Sequence, residues 1–197
     1  MQQGPKKRTN RSWQAMTNNA RGHFLEGYIK AGCTYYKQFE FAEVDQTPEP
    51  FRTTSTNRDG TFTGRFTSNA QPDFKGTLKG GKAIVFEAKY TSTDKLQKSV
   101  LTAAQEDSLR NHWRMGAFAG VCVGLKDIFA FVPWEVWEVM KERYGRKYMT
   151  AEDLELYRIK FDGSALFLDF LHKNGSKLQE WQMWNGRGWQ PGKEVDG

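Results

Sequence analysis

The chain is poor in cysteine and histidine. Its two cysteines, Cys33 and Cys122, cannot build a disulfide framework or a four-thiolate zinc site. Both lie among apolar residues, which reads as two small buried hydrophobes. The three histidines, His23, His112 and His172, show no metal-binding spacing. No run reaches the roughly 18 apolar residues of a membrane-crossing helix. The basic N-terminus (Lys6, Lys7, Arg8, Arg11) is not followed by the apolar core of an export signal. These absences lead to the expectation of a cytoplasmic protein with no membrane partner. Acidic residues are outnumbered, 23 to 29, so the net charge is +6 and the pI about 9.3. A basic excess of this size suits a polyanionic partner.

What is present is enough for one domain. The chain has 197 residues, 38% of them hydrophobic, and a further 19 glycines. It can therefore bury a core, and bulk disorder is excluded. Residues 1–18 are polar, basic and aperiodic, and read as a flexible arm that can reach phosphates. Ala20–Lys37 carries Phe24, Leu25, Tyr28, Ile29, Cys33 and Tyr36 at helical spacing. Phe39–Asp45 alternates like a strand. Residues 46–69 have few aliphatic side chains and many threonines, with a turn signal at Asn57-Arg-Asp-Gly60. Without an apolar face this segment has no reason to lie on the core, so it reads as a projecting β-ribbon, or stalk.

Asp73–Leu78 and Lys82–Tyr90 flank Lys79-Gly-Gly81 as paired strands. Val100–Met115 follows as a helix, Ala117–Leu125 and Asp127–Trp134 as buried strands, and Val136–Arg143 as a short helix. Thr150-Ala-Glu-Asp153 has the form of a capping box before another short helix. Arg158–Leu171 reads as a final hairpin or strand pair. The order of elements gives a mixed α/β core over residues 19–172. Residues 173–197 form a tryptophan-, glycine- and charge-rich tail of no assigned role.

One constellation carries chemistry. Thirteen residues separate Pro72-Asp73 from Glu87-Ala-Lys89. A Glu-x-Lys triplet alone is expected about 0.7 times by chance in a chain of this length and composition. Here it ends the apolar run Ala83-Ile-Val-Phe, and residues two apart on a strand share a face. Glu87 and Lys89 therefore project together, and Phe86 and Ala88 face the other way. A hairpin through Gly80-Gly81 brings Asp73 alongside. Two carboxylates and one ammonium suit phosphodiester cleavage. Asp73 and Glu87 offer hard oxygen ligands for Mg²⁺, for which Mn²⁺ can substitute. Lys89 offers a point charge to the attacking water or the transition state. The competing interpretation is a surface Glu87–Lys89 ion pair, worth about 0–1 kcal/mol.

On the following helix, Leu101, Ala104, Ser108, His112 and Met115 read as the inner stripe. Gln105 sits beside them, either a satisfied core amide or a group that orients water or phosphate. Glu26, flanking the apolar stripe of the first helix, is a further candidate. Arg21, Arg52, Arg58, Arg65 and Lys75 are the candidate DNA contacts. Taken together with the family resemblance set out next, these residues leave three functions open: a junction-resolving endonuclease, a related nuclease acting on other DNA structures, and a non-catalytic DNA-binding module.

At these positions the chain resembles the PD-(D/E)xK nuclease superfamily, and within it the RecU family of Holliday junction resolvases. Asn19-Ala-Arg-Gly-His-Phe-Leu-Glu26 is similar to the family's opening Asn-Arg-Gly…Glu element. Phe86-Glu-Ala-Lys89 reproduces its Phe-Glu-Ala-Lys strand. Gln105 falls at the glutamine of its His-Gln pair, with Ala104 in place of the histidine. Thr47-Pro48 and the ribbon fall at its stalk, and Arg146-Lys147 with Met149–Leu154 resembles a late Arg-Lys segment. Pro72 stands where the family has threonine, and the Asp73-to-Glu87 spacing is one residue longer. The likeness covers about residues 18–172. It implies a restriction-endonuclease-like core sheet flanked by helices, and a homodimer with two metal sites that nicks opposite strands of a four-way junction during recombination and repair. It also implies a recombinase partner.

Overall fold

The computed structural model describes residues 10–48, 51–66 and 71–169. The chain runs α1 (Asn10–Gln38), β1 (Ala42–Gln46), β2 (Phe51–Thr56), β3 (Phe62–Phe66), β4 (Phe74–Leu78) and β5 (Ala83–Thr91). Then come β6 (Lys95–Gln97), a 3₁₀ turn at Lys98–Val100, α2 (Ala103–Arg114), β7 (Phe118–Leu125) and β8 (Ile128–Pro133). The last elements are α3 (Trp134–Glu138), α4 (Met140–Tyr144), β9 (Tyr148–Thr150), α5 (Ala151–Glu155), β10 (Lys160–Phe161) and β11 (Ala165–Leu166).

Five strands form the central sheet in the order β1-β4-β5-β7-β8. Only the β5–β7 pair is parallel, with α2 as the crossover between them. β7 is buried along its whole length, as a central strand covered on both faces must be. Period-two alternation divides each strand between two cores. Ile84, Phe86 and Cys122 face α1, with Leu25, Ile29, Cys33 and Tyr36 on the helix. Val85, Val121 and Val123 face the other way, onto Leu109 of α2 and Trp134 and Trp137 of α3. This is the mixed α/β fold expected from the order of elements. Both cysteines are buried and free, as read from the sequence.

Several boundaries move. The first helix begins at Asn10, ten residues before the expected start at Ala20, so the arm boundary at residue 18 falls inside it. Residues 1–9 lie outside the described residues. β1 starts at Ala42, because Glu40 adopts a left-handed conformation (φ 53°) between helix and strand. The single helix expected over Val136–Arg143 is two short ones, α3 and α4. The ribbon exists: β2 and β3 form their own two-stranded sheet, and Arg52–Phe62 is exposed throughout. Its turn is tied by Thr61, whose N–H and hydroxyl both donate to Asp59 Oδ1, with Gly60 at φ +83°. The tail 173–197 lies outside the described residues.

The β1–β4 pair permits a close test of register. Gly76 pairs with Val44, and a Cβ built there would lie 2.0 Å from the Glu43 carbonyl oxygen and 2.6 Å from the Val44 Cα. Both are backbone atoms, so the strands themselves must move. Gly76→Ala should lower stability by about 2–4 kcal/mol. Gly22→Ala, with nothing within 4 Å of its Cβ, should be neutral or stabilising in the same chemical-denaturation series.

Candidate active site

The site is assembled by a hairpin. Gly80 (φ +93°) and Gly81 (φ +88°) make the turn, a conformation that side-chain-bearing residues rarely adopt. The pairing runs back to Phe74 opposite Phe86, whose rings stack at 5.0 Å with an interplanar angle of 8°. The next positions along the two chains are Asp73 and Glu87. Burial of the Phe pair on the α1 side thus fixes the two carboxylates against each other.

Asp73 Oδ2 accepts the Ala88 N–H at 2.9 Å. The Asp73 carbonyl accepts the Thr47 N–H at 2.9 Å, which ties the residue to the end of β1 as well. Glu87 is wholly buried. Its Oε2 accepts from Lys89 Nζ at 3.2 Å and from Gln105 Nε2 at 2.6 Å. Lys89 Nζ also lies 3.9 Å from Asp73 Oδ2, so one ammonium stands between two carboxylates. The Lys89 side chain is 21% exposed against 0% for Glu87, so the surface ion-pair interpretation does not hold. Burial first, and then the neighbouring Asp73 charge, push the Glu87 carboxyl up to about 8, with Lys89 opposing.

Gln105 joins the constellation. Its Oε1 accepts the Thr102 N–H at 3.1 Å in a full capping box at the start of α2, and its Nε2 holds Glu87. Thr102 is the residue the sequence reading passed over, although Thr102-x-x-Gln105 has the capping-box form. The inner face of α2 also differs. Leu109 is fully buried and Trp113 partly so, four and eight residues on from Gln105. Met115 is 88% exposed and His112 and Ala104 are exposed, so the expected stripe is rotated by about one residue.

Glu26 stands apart. Its Oε2 accepts from Gln46 Nε2 at 2.9 Å, and among the described residues no hydrogen bond or ion pair links it to Asp73, Glu87 or Lys89. Gln46 pairs with Phe74, one residue from Asp73, so Glu26 lies at the rim of the site. Arg21 donates to the Tyr90 hydroxyl at 2.9 Å, and Tyr90 donates to the Lys126 carbonyl at 3.3 Å. That chain fastens α1 to the far end of β5. Lys75 donates to Gln71 Oε1 at 2.7 Å from an exposed position. Arg52, Arg58 and Arg65 are exposed on the ribbon.

The residues present fit a divalent cation. Glu87 Oε1 is buried and has no hydrogen-bond partner among the described residues. The donors are two hard carboxylates. Among the described residues there is no group of three or more His, Cys, Asp and Glu side chains that could hold a metal. A cation held by Asp73 and Glu87 would complete its shell with water and phosphate oxygens, the usual habit of Mg²⁺.

The sequence profile of Recombination protein U, RecU, matches residues 20–174. The chain belongs to the RecU family. Membership makes it an endonuclease of the Holliday junction resolvase kind. Among solved structures, the chain is similar to Hjc of Archaeoglobus fulgidus, a Holliday junction resolvase from an archaeal hyperthermophile. The likeness has a TM-score of 0.42 at 16% identity, over 67% of this chain and 93% of that one. No curated protein sequence matches the chain. Among the described residues no helix is long and apolar enough to cross a membrane.

The raised Glu87 carboxyl has a measurable consequence. The folded protein holds this proton up to about pH 8, while an ordinary glutamate releases it near 4.5. Between those values the folded state binds more protons than the unfolded one, so this group makes stability fall as pH rises. Glu87→Gln should therefore stabilise the metal-free protein by at least about 1 kcal/mol at pH 8, and by little at pH 4.5. Thermal melts at both pH values check this.

Proposed function

We propose that this RecU-family endonuclease resolves four-way DNA junctions through a Mg²⁺-dependent site on Asp73, Glu87 and Lys89, and that two copies act as a dimer to place paired nicks. The observation that carries the reading is the fully buried Glu87 facing Asp73, with one carboxylate oxygen uncompensated and one ammonium between them.

Asp73 and Glu87 hold the cation, and Mn²⁺ satisfies the same donors. When bound, the cation acidifies a water molecule and offsets charge on the scissile phosphate. Lys89 is held by Glu87 on its inner side and keeps an open side toward solvent, where it can face a phosphate oxygen. Gln105 keeps the Glu87 carboxylate in position by bonding it to the start of α2. Glu26, at the rim, positions Gln46 and through it the end of β1.

Selectivity for branched DNA comes from the ribbon. Arg52 and Arg65 occupy the same rung of the β2–β3 pair, and both are exposed. Like charges directly opposite each other are unfavourable in an isolated sheet. An anion placed against the pair reverses that cost. Arg58 at the turn extends the same basic edge. Two ribbons related by a dimer axis would present these guanidiniums to the open centre of a junction, which linear duplex lacks.

Asp73→Asn should abolish cleavage of a four-way junction while gel-shift affinity for that junction persists. Lys89→Ala should slow cleavage about 10²–10³-fold with Mg²⁺ affinity little changed, because it removes a charge donor and not a ligand. Single-turnover rates and calorimetric Mg²⁺ titrations read the two effects separately, and wild-type rates in either variant contradict the assignment.

Replacing residues 53–65 by an Asn-Gly turn should leave folding and Mg²⁺ binding intact. The preference for a junction over duplex of equal phosphate count should collapse, as competition gel shifts would read. An undiminished preference means that selectivity lies outside the ribbon.

A further inference from the structure

A second basic surface lies on the small β6–β9 sheet. Its inner residues, Leu96 and Met149, are both fully buried in the core on the α2 side. Its outer face carries Lys95, Gln97, Tyr148 and Thr150, with Lys95 opposite Thr150 and Gln97 opposite Tyr148. Lys95 Nζ stands 4.5 Å from the centre of the Tyr148 ring, and the Arg146 guanidinium 5.0 Å from it. Two cations thus share one aromatic ring. The segment leading into β9, Lys141 to Tyr148, contains Lys141, Arg143, Arg146 and Lys147 against the single acid Glu142, 4 − 1 = +3. Asp153 pairs with Arg146, and Lys147 is exposed and makes no ion pair with a described residue.

This face has a fixed relation to the cleavage site. Glu87 points to the α2 side of the sheet, where Gln105 meets it, and the β6–β9 unit packs on that same side. Lys95 follows Lys89 by six residues, so their Cα atoms are at most ~22 Å apart. The linking turn is braced by hydrogen bonds: the hydroxyls of Thr91 and Thr93 meet at 2.8 Å, and Thr93 donates to the Lys95 carbonyl at 2.8 Å. Phosphates recur about every 3.4 Å along a DNA strand. A duplex arm that leaves the site on this side would bring several of its phosphates within reach of this face.

We propose that the outer face of β6–β9 together with the exposed segment leading into β9, through Lys95 and Lys147, is a second phosphate-backbone site that holds the duplex arm beside the scissile bond. Arg146 has a different part: fixed by Asp153 and the Tyr144 carbonyl, it shapes the face. The contact is sequence-independent, because it meets phosphates and not base edges. The inference rests on the junction-cleaving reading above.

The test compares two double variants of equal charge. Lys95→Gln with Lys147→Gln removes two cations from the face. Lys30→Gln with Lys160→Gln removes two exposed cations from α1 and β10. Affinity for a four-way junction with arms of about 20 base pairs is measured across a salt series, with thermal melts to confirm folding. The face variant should lose about two units from the slope of log affinity against log salt, and several-fold affinity at moderate salt. The control variant should match the wild type. Equal slopes in the face variant and the wild type overturn the inference, and so does an equal loss in the control, which would mean only a general charge effect. If the wild type itself shows no junction affinity, the junction reading fails first, so the two failures are distinguishable.

Discussion

A buried carboxylate facing a second carboxylate is the constraint on which the rest of this structure depends. Glu87 has no solvent exposure, and Asp73, the residue just before β4, adjoins it where the Phe74–Phe86 pairing ends. In isolation that pairing is unfavourable on two counts, lost hydration and mutual repulsion. It persists because the surroundings over-determine it. The Phe74–Phe86 stack fixes the register from below, the Gly80-Gly81 turn fixes it at the hairpin end, and Asp73 is pinned to the Ala88 N–H. Lys89 and Gln105 each offset part of the charge on one Glu87 oxygen. The other oxygen has no hydrogen-bond partner among the described residues.

The same arrangement explains why both helices matter to the site without either supplying its central charges. α1 covers the opposite face of the sheet, and through Tyr28, Ile29 and Tyr36 it buries the aromatic layer beneath Asp73 and Glu87. α2 approaches from the site's own side. Its capping glutamine has one end on the helix start and the other on Glu87, so the helix terminus and the carboxylate cannot shift independently. The third contribution is the Arg21–Tyr90–Lys126 chain, which secures the start of α1's described side chains to the far end of β5.

Much of this was legible in the sequence. Period-two alternation in Ala83–Lys89 gave the facing of Glu87 and Lys89, and the Gly-Gly pair gave the hairpin that sets Asp73 beside them. The capping box at Thr150 was read correctly, and the threonine-rich segment without an apolar face is a separate ribbon. The rest was hidden for physical reasons. The inner face of α2 lies one residue from the expected stripe, because a short amphipathic helix offers several apolar stripes and its phase is set by the Thr102 cap. The start of α1 is not marked by hydrophobic spacing, because Asn10–Asn19 carries few apolar residues. Glu26 is adjacent to the site in sequence logic but engages Gln46, a pairing across two elements that no local pattern encodes.

The central claim is that a single carboxylate–lysine site, paired across a dimer, cuts branched DNA with a divalent cation. The most direct test incubates the protein with a synthetic four-way junction, a matched linear duplex and a single strand, with Mg²⁺ and with excess chelator, and maps the cut positions on each strand. The account predicts symmetric nicks on two opposing strands of the junction, little cleavage of duplex or single strand, and no cleavage under chelator. Equal cleavage of junction and duplex, or cleavage that survives the chelator, would contradict it.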